Sequence, residues 1–304
     1  MTVSAPKWTP RRERTPVSLA ASAAVRPVLE APRRPARVLA VFPAGAYLEV
    51  RTEREPSVLA VVTGGGTRLP NAVLLAVPLP SLSVGEEAVV GDGGIELGPL
   101  SLRVRRWWDP AAPPGPVDPV RLAHAAALLR PDGTQGLAGN GAVDLLADSC
   151  AGGWLLGALS AAEQLVGLGP GLTPSGDDVL AGLLVTLRHL GRGAGAERAL
   201  WLADWLAATV TYDARTRTTP ISATLLHCAA QGAACPEVLG VLRGLAGRTP
   251  LAPALARLRR LGHTSGADLA QGVAIGVDAV LAMAAPASRD GTGHDARHGA
   301  RGAA

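Results

Sequence analysis

The chain has 304 residues, enough for one large domain or two ordinary ones with a real apolar core. Its 48% hydrophobic share comes mainly from Ala, Val and Leu, with two Tyr, one Phe and six Trp, a composition that favours helix. Net charge is +4, but residues 1–37 hold eight Lys/Arg against two Asp/Glu (+6), so the remainder sums to −2. The basic excess therefore sits on an N-terminal arm, and without interleaved aromatics it argues against a nucleic-acid-reading face.

In chain order, residues 1–36 read as a disordered leader, rich in Pro and Arg. Arg11 and Arg12 form an arginine pair, but the weakly apolar stretch after it, broken by Pro and Arg, is no export signal. Residues 37–106 form a small β-rich domain of about six strands: "RVLAVF", "AYLEVRT", "SVLAVV", "AVLLAVPL", "AVVGD" and "LSLRVRRW" are short Val/Leu runs separated by Gly and Pro. Residues 107–119, "WWDPAAPPGPVDP", are a Pro-rich linker or packed elbow.

From Asp118 the texture turns helical, with Pro119 at a first helical position and further segments near 142–167, 178–190, 197–211, 220–231, 236–246, 251–261 and 267–284. Gly191, Gly232 and Gly262 fall where helices end. This predicts a helical domain of about seven helices over 120–285, followed by a disordered tail, 286–304. The fold class is α+β, a small β-rich domain followed by a larger, mainly α-helical one. The longest apolar run, 269–287, holds Asp278 in its middle and reads as a buried helix, with no membrane span. Cys150, Cys228 and Cys235, odd in number and without CxxC spacing, suit a reducing cytoplasm.

The polar chemistry concentrates at "GLGPGLTPSGDDVLAG", residues 167–182. Ser175 stands three residues before Asp178, ahead of an apolar helix, and resembles a capping box. A plain capped turn would explain that much. The surplus glycines, Gly169 and Gly171 among them, let backbone N–H groups approach a ligand, and a helix N-terminus favours an anion. The pattern also returns: Ser175, Gly176, Asp178 and Gly182 correspond to Ser265, Gly266, Asp268 and Gly272, so two helix mouths are expected to converge on one pocket.

A third polar helix start lies between them, where Thr218 or Thr219 caps a helix that begins at Pro220 and carries Ser222. Arg215 and Arg217 just upstream are candidates for a carboxylate or phosphate, against the plainer reading that both are solvated. His263 is either a general acid–base or a cap on the preceding helix. The pair Asp177 and Asp178 could take Mg²⁺ or accept N–H groups of a ureido or amide; no third metal ligand can be named, so no metal and no cofactor is assigned. Lys7 is the only lysine, so any phosphate work falls to arginine and backbone N–H groups.

"GLGPGLTPSGDD", "RTTPISATLL" and "LGHTSGADLAQG", in that order, closely resemble the AllH-like family, associated with a subunit of oxamate carbamoyltransferase, over roughly residues 90–285. The resemblance implies phosphorolysis of oxalurate, from allantoin breakdown, into oxamate and carbamoyl phosphate, which a partner carbamate kinase consumes. It implies other subunits too, one similar to acyl-CoA ligases. Carried onto this chain, the family positions are Gly169, Gly171, Thr173, Ser175, Gly176, Asp177, Asp178, Thr219, Ser222, His263, Ser265, Gly266 and Asp268. The expected roles are catalysis by Asp177, Asp178 and His263, and binding of a small anion (oxalurate, phosphate or carbamoyl phosphate) by the others with Arg217. Two alternatives stand beside this: a non-catalytic metabolite-binding or regulatory subunit using the same anion pocket, and a divergent relative acting on another amide or ureido compound.

Overall fold

A computed structural model describes residues 15–130 and 135–284. The N-terminal half closes into an eight-stranded barrel, in the order β1 (Thr15–Ser22), β5 (Ala72–Leu75), β4 (Val58–Val62), β3 (Gly45–Val50), β2 (Arg34–Phe42), β6 (Glu87–Gly91), β7 (Gly94–Leu97), β8 (Leu100–Trp108). β1 runs parallel to β8 and β4 parallel to β5; the other neighbours are antiparallel. Alternating side chains such as Leu19, Ala21, Val38, Leu48, Val50, Leu59, Val61, Val90 and Ile95 fill its interior. Between β6 and β7, Asp92 (φ 51°) and Gly93 (φ 74°) make the two-residue left-handed turn that suits a twisted hairpin.

The sequence expectation for this half needs two corrections. Residues 15–36 are not a disordered leader, because they carry β1, the short helix α1 (Arg26–Leu29) and the start of β2; residues 1–14 lie outside the described residues. β1 is held by distant partners, pairing Leu19 with Leu75 and Val17 with Leu102, and small residues with an early Pro mask its alternation. Among the described residues the strands number eight, not six: besides β1 there is β7, which at four residues gives little sequence signal.

Beyond the barrel come α2 (Pro119–Ala126), α3 (Gly141–Gly152), α4 (Leu155–Leu165), α5 (Ser175–Gly193), α6 (Glu197–Tyr212), α7 (Ala214–Arg217), α8 (Pro220–Ala230), α9 (Pro236–Leu245), α10 (Leu251–Arg259) and α11 (Ser265–Ala284). The expected helix 142–167 is two helices, broken at Gly153 in the left-handed region (φ 69°). Asp118 caps α2, and of the two threonines before Pro220 it is Thr219 that caps α8, each accepting from a first-turn N–H. Ser175 does not: it is the first helical residue, Pro174 holds the cap position without a side-chain bond, and the capping-box reading fails. Gly191 lies inside α5, which ends at Gly193 and is followed by left-handed Gly195. The tail 286–304 lies outside the described residues.

The core of this half is organised around α5 and α11. A Cβ on Gly182 would fall 2.2 Å from the Leu269 carbonyl oxygen, and one on Gly272 would fall 2.0 Å from that of Val179. These reciprocal contacts join equivalent positions of the repeated motif, so the two helices lie side by side, run the same way and open at the same end. α11 is long and apolar enough to cross a membrane by length and composition, but it is packed into the helical core, with Gly266, Asp268, Val273, Val277 and Val280 buried.

Two seams fix the barrel to the helices. The elbow is pinned where Val117 N–H donates to Gly193 O (2.9 Å) and Ala234 N–H to Pro110 O (2.9 Å). At the second seam, the Thr224 hydroxyl oxygen of α8 accepts from Ser57 N–H (3.2 Å) and Val58 N–H (3.1 Å), and the hydroxyl donates to Glu55 (2.8 Å). Arg215 completes it, donating to Glu55 (2.6 Å) and to the carbonyls of Thr52 and Arg54 (both 3.1 Å).

Candidate functional site

The glycine-rich loop 166–174 delivers the chain into α5. Gly167 is left-handed (φ 75°), and a Cβ there would meet the Arg217 carbonyl oxygen at 2.1 Å; its N–H donates to Asp177 Oδ1 at 2.8 Å. Asp177 Oδ2 accepts from the hydroxyls of Thr218 (2.5 Å) and Ser222 (2.6 Å). Thr219 caps α8 by accepting from Ser222 N–H (3.1 Å) and donates to Leu172 O (2.6 Å). Asp177 is thus a three-way tie between the loop, α5 and the start of α8. Burial raises its carboxyl pKa, opposed by bonds from Ser222, Thr218 and Gly167 and by the nearby Arg217 charge.

The first-turn donors of α5 serve this tie as well. Gly176 N–H donates to Leu168 O (2.9 Å), and those of Asp177 and Asp178 to Pro174 O (3.0 and 3.1 Å). Gly176 must be glycine, since a Cβ would lie 2.0 Å from Leu165 O; Gly266 mirrors it, 2.0 Å from Leu258 O. At α5 these N–H groups therefore satisfy the protein's own carbonyls, in place of the open anion nest the sequence suggested. Left-handed Gly169 (φ 115°) and Gly171 (φ 97°) are the loop glycines whose N–H groups have no acceptor among the described residues.

At the shared mouth of α5 and α11 the two halves of the repeat meet. Thr173 and Ser265 hydroxyls lie 3.1 Å apart. Gly136 N–H donates to Asp268 Oδ1 (2.8 Å), and a Cβ on Gly136 would stand 2.1 Å from Ser175 Oγ and 3.2 Å from Asp268 Oδ2. Asp178 (7% exposed) and Asp268 (0%) are buried here, and each leaves its Oδ2 without a hydrogen-bond partner among the described residues. Such orphaned acceptors are costly to bury and rare unless something external satisfies them. Burial pushes the Asp178 carboxyl up to about 8; the Ser265 and Thr173 hydroxyls oppose this, and the charges of Asp268 and Asp177 add to it.

The remaining predicted residues fall at the rim. Arg217 is exposed, donates to the Glu163 carbonyl and stands 3.8 Å from Asp213. Arg215 is committed to the domain seam, so it is not a free anion ligand. His263 is exposed in the turn before α11, with no side-chain hydrogen bond among the described residues, and does not cap α10. One further contributor is Gly136, whose signal is the Gly-rich run before α3.

A cleft of about 760 Å³ lies elsewhere, on the barrel flank beside Arg37, Glu49, Arg51, Glu53, Arg215 and Pro220; none of Asp178, Ser265 or Asp268 lines it. Its opposite charges are largely paired, as in Arg37–Glu49 (2.6 Å) and Arg215–Glu55 (2.6 Å), so the chemistry points to the helix mouths instead. Among the described residues no group of three or more His, Cys, Asp or Glu side chains is placed to hold a metal ion.

No solved structure matches the chain. Residues 165–277, which run from the glycine-rich loop through both Ser-Gly-x-Asp mouths, match the family model for oxamate carbamoyltransferase subunit AllH, and over that stretch the chain is AllH-like.

Proposed function

We propose that this chain is a subunit of an oxamate carbamoyltransferase-like enzyme that binds oxalurate and phosphate at the joint mouth of α5 and α11. The observation that carries this reading is the pair of buried Oδ2 atoms of Asp178 and Asp268, without hydrogen-bond partners among the described residues and brought together by the repeat. Oxalurate has a ureido group rich in N–H, which answers carboxyl acceptors, and a carboxylate, which suits the open N–H groups of Gly169 and Gly171 with Arg217 at the rim. Thr173, Ser175 and Ser265 supply hydroxyls between the two ends.

In the reaction a phosphate oxygen bonds to the ureido carbon, and the bond from that carbon to the oxamate nitrogen breaks. Asp178, protonated at neutral pH, gives its proton to that nitrogen and regains one from the attacking phosphate, leaving oxamate and carbamoyl phosphate. Asp177 holds the loop and α8 in place, a positioning role, and Asp268 accepts from the terminal amide. The name of the matching family supports reading the protein as one subunit among others. An acyl-CoA-ligase-like chain as partner and a cytoplasmic site of action belong to this proposal, and three free, buried cysteines fit a reducing compartment.

Calorimetric titration of the full chain with oxalurate, phosphate and carbamoyl phosphate tests the reading, beside an assay of carbamoyl phosphate formation with the partner subunits. Saturable oxalurate binding, with turnover in the assembly, is expected. Binding without turnover in any combination would favour a regulatory subunit, and absence of binding by all three would end the proposal.

A further inference from the structure

A surface helix ordinarily turns polar residues outward, and α6 does not. Its inner face, with Ala199, Leu202, Ala203, Leu206, Ala207 and Val210, is buried in the helical core. Its outer face carries Trp201 (53% exposed), Trp205 (47%) and Tyr212 (91%), with exposed Ala208 between them. At 100° per residue these four positions fall within about 60° of one another, a single stripe about 16 Å long. The two indoles meet edge-on, ring centroids 6.1 Å apart. α4 runs beside α6 in the same direction: a Cβ on Gly153 would lie 3.0 Å from the Arg198 guanidinium at one end, and Arg217 donates to the Glu163 carbonyl at the other. The start of α4 leaves Trp154 (59%) and Leu156 (72%) exposed too, so three of the chain's six tryptophans face water on these two adjoining helices.

The area and the charges say what fits there. The five large side chains leave roughly 700 Å² open to water. That exceeds the largest apolar patch of an ordinary monomer, about 300–600 Å², and approaches the about 800 Å² that each partner contributes to a standard interface. The stripe is also complementary to itself. Turned end for end on a second copy, with the twofold axis level with Leu206 and Ala207, Trp205 comes opposite the partner's Ala208 and Trp201 opposite the partner's Tyr212. Each indole thus meets a small residue or another ring. Glu197 and Arg198 stand at the start of α6, and Asp213 and Arg217 just past its end. The antiparallel arrangement sets Arg198 near the partner's Asp213 and Glu197 near the partner's Arg217, opposite charges in both cases, whereas a parallel one would set each charge against its like. Asp204, the acidic residue beside the stripe, is paired with Arg188 of its own chain (2.6 Å).

We propose that this face is the contact surface of a homodimer, in which α6 of one protomer packs antiparallel on α6 of a second copy and the starts of the two α4 helices flank the contact. The proposal goes beyond the carbamoyl-transfer reading and holds whatever the substrate proves to be.

Sedimentation equilibrium of the full chain is expected to show monomers and dimers in exchange. Trp205→Glu, a change at an exposed position, should weaken the dimer about 100-fold and leave the circular-dichroism spectrum unchanged. A second variant fixes the geometry. Cys150, Cys228 and Cys235 are buried, so one added surface cysteine reacts alone. A short bis-maleimide should join Ala208→Cys to the partner's copy, and should leave Val84→Cys, on an exposed turn of the barrel, unjoined. A dimer that survives Trp205→Glu, or an Ala208→Cys chain joined no faster than Val84→Cys, overturns the proposal. A wild-type chain that stays monomeric overturns it as well, whether another subunit or the chain's own tail then covers the face.

Discussion

Asp178→Asn is expected to cut carbamoyl phosphate formation by the assembled enzyme about 1,000-fold, within the range usual for loss of a general acid, while the fold survives. The amide keeps the shape of the carboxyl but cannot supply a proton to the leaving nitrogen. The same substitution has a signature in stability. With its folded pKa raised to about 8 from an ordinary 3.8, Asp178 holds a proton in the folded protein that the unfolded chain gives up. Its contribution is therefore complete below pH 4 and is lost as pH rises toward 8 and beyond. Thermal melts across that window should fall for the wild type and flatten for Asp178→Asn, which at pH 8 should be the more stable of the two. Turnover that survives the substitution, or parallel melting curves, would remove Asp178 from the role of acid.

Asp177→Ala is expected to destabilise the fold by about 4 kcal/mol, measured as a lower denaturant midpoint with an unchanged slope. The arithmetic is local. The residue is 2% exposed, and its removal strands the Gly167 N–H and the hydroxyls of Thr218 and Ser222 at once. Hydrogen bonds to a charged group contribute more than neutral ones, and buried donors left unpaired add their own cost. Two adjacent aspartates thus part company, one testable by denaturant and the other by turnover. A loss below about 1 kcal/mol for Asp177→Ala would show that the loop and α8 are held by something else.

The adjacency of those aspartates was plain in the sequence; their division of labour was not. Successive residues in the first turn of a helix point about 100° apart, so one faces the loop and the other the partner helix, and only the neighbours decide which. The repeat at 175–182 and 265–272 was legible as two helix mouths, and its glycines turned out to carry a second message. Gly182 and Gly272 let α5 and α11 touch along their backbones, which is what brings Asp178 to Asp268.

Other features were hidden for identifiable reasons. β1 is masked in the sequence because its pairing partners come more than fifty residues later. The anion-nest reading of the α5 N-terminus failed for a subtler reason. A glycine-rich loop frees backbone N–H groups, but it also lets the chain fold back and offer its own carbonyls, as Leu168 and Pro174 do here. That leaves the mouth with acceptors in surplus, and moves its expected ligand from a bare anion toward a ureide that is anionic at one end.

The most direct measurement is a crystal structure of the full chain with oxalurate. Its ureido nitrogens should lie within hydrogen-bonding distance of Asp178 Oδ2 and Asp268 Oδ2, between the starts of α5 and α11. Oxalurate seated in the flank cleft by Arg37 and Arg51, with the two aspartates untouched, would contradict the account.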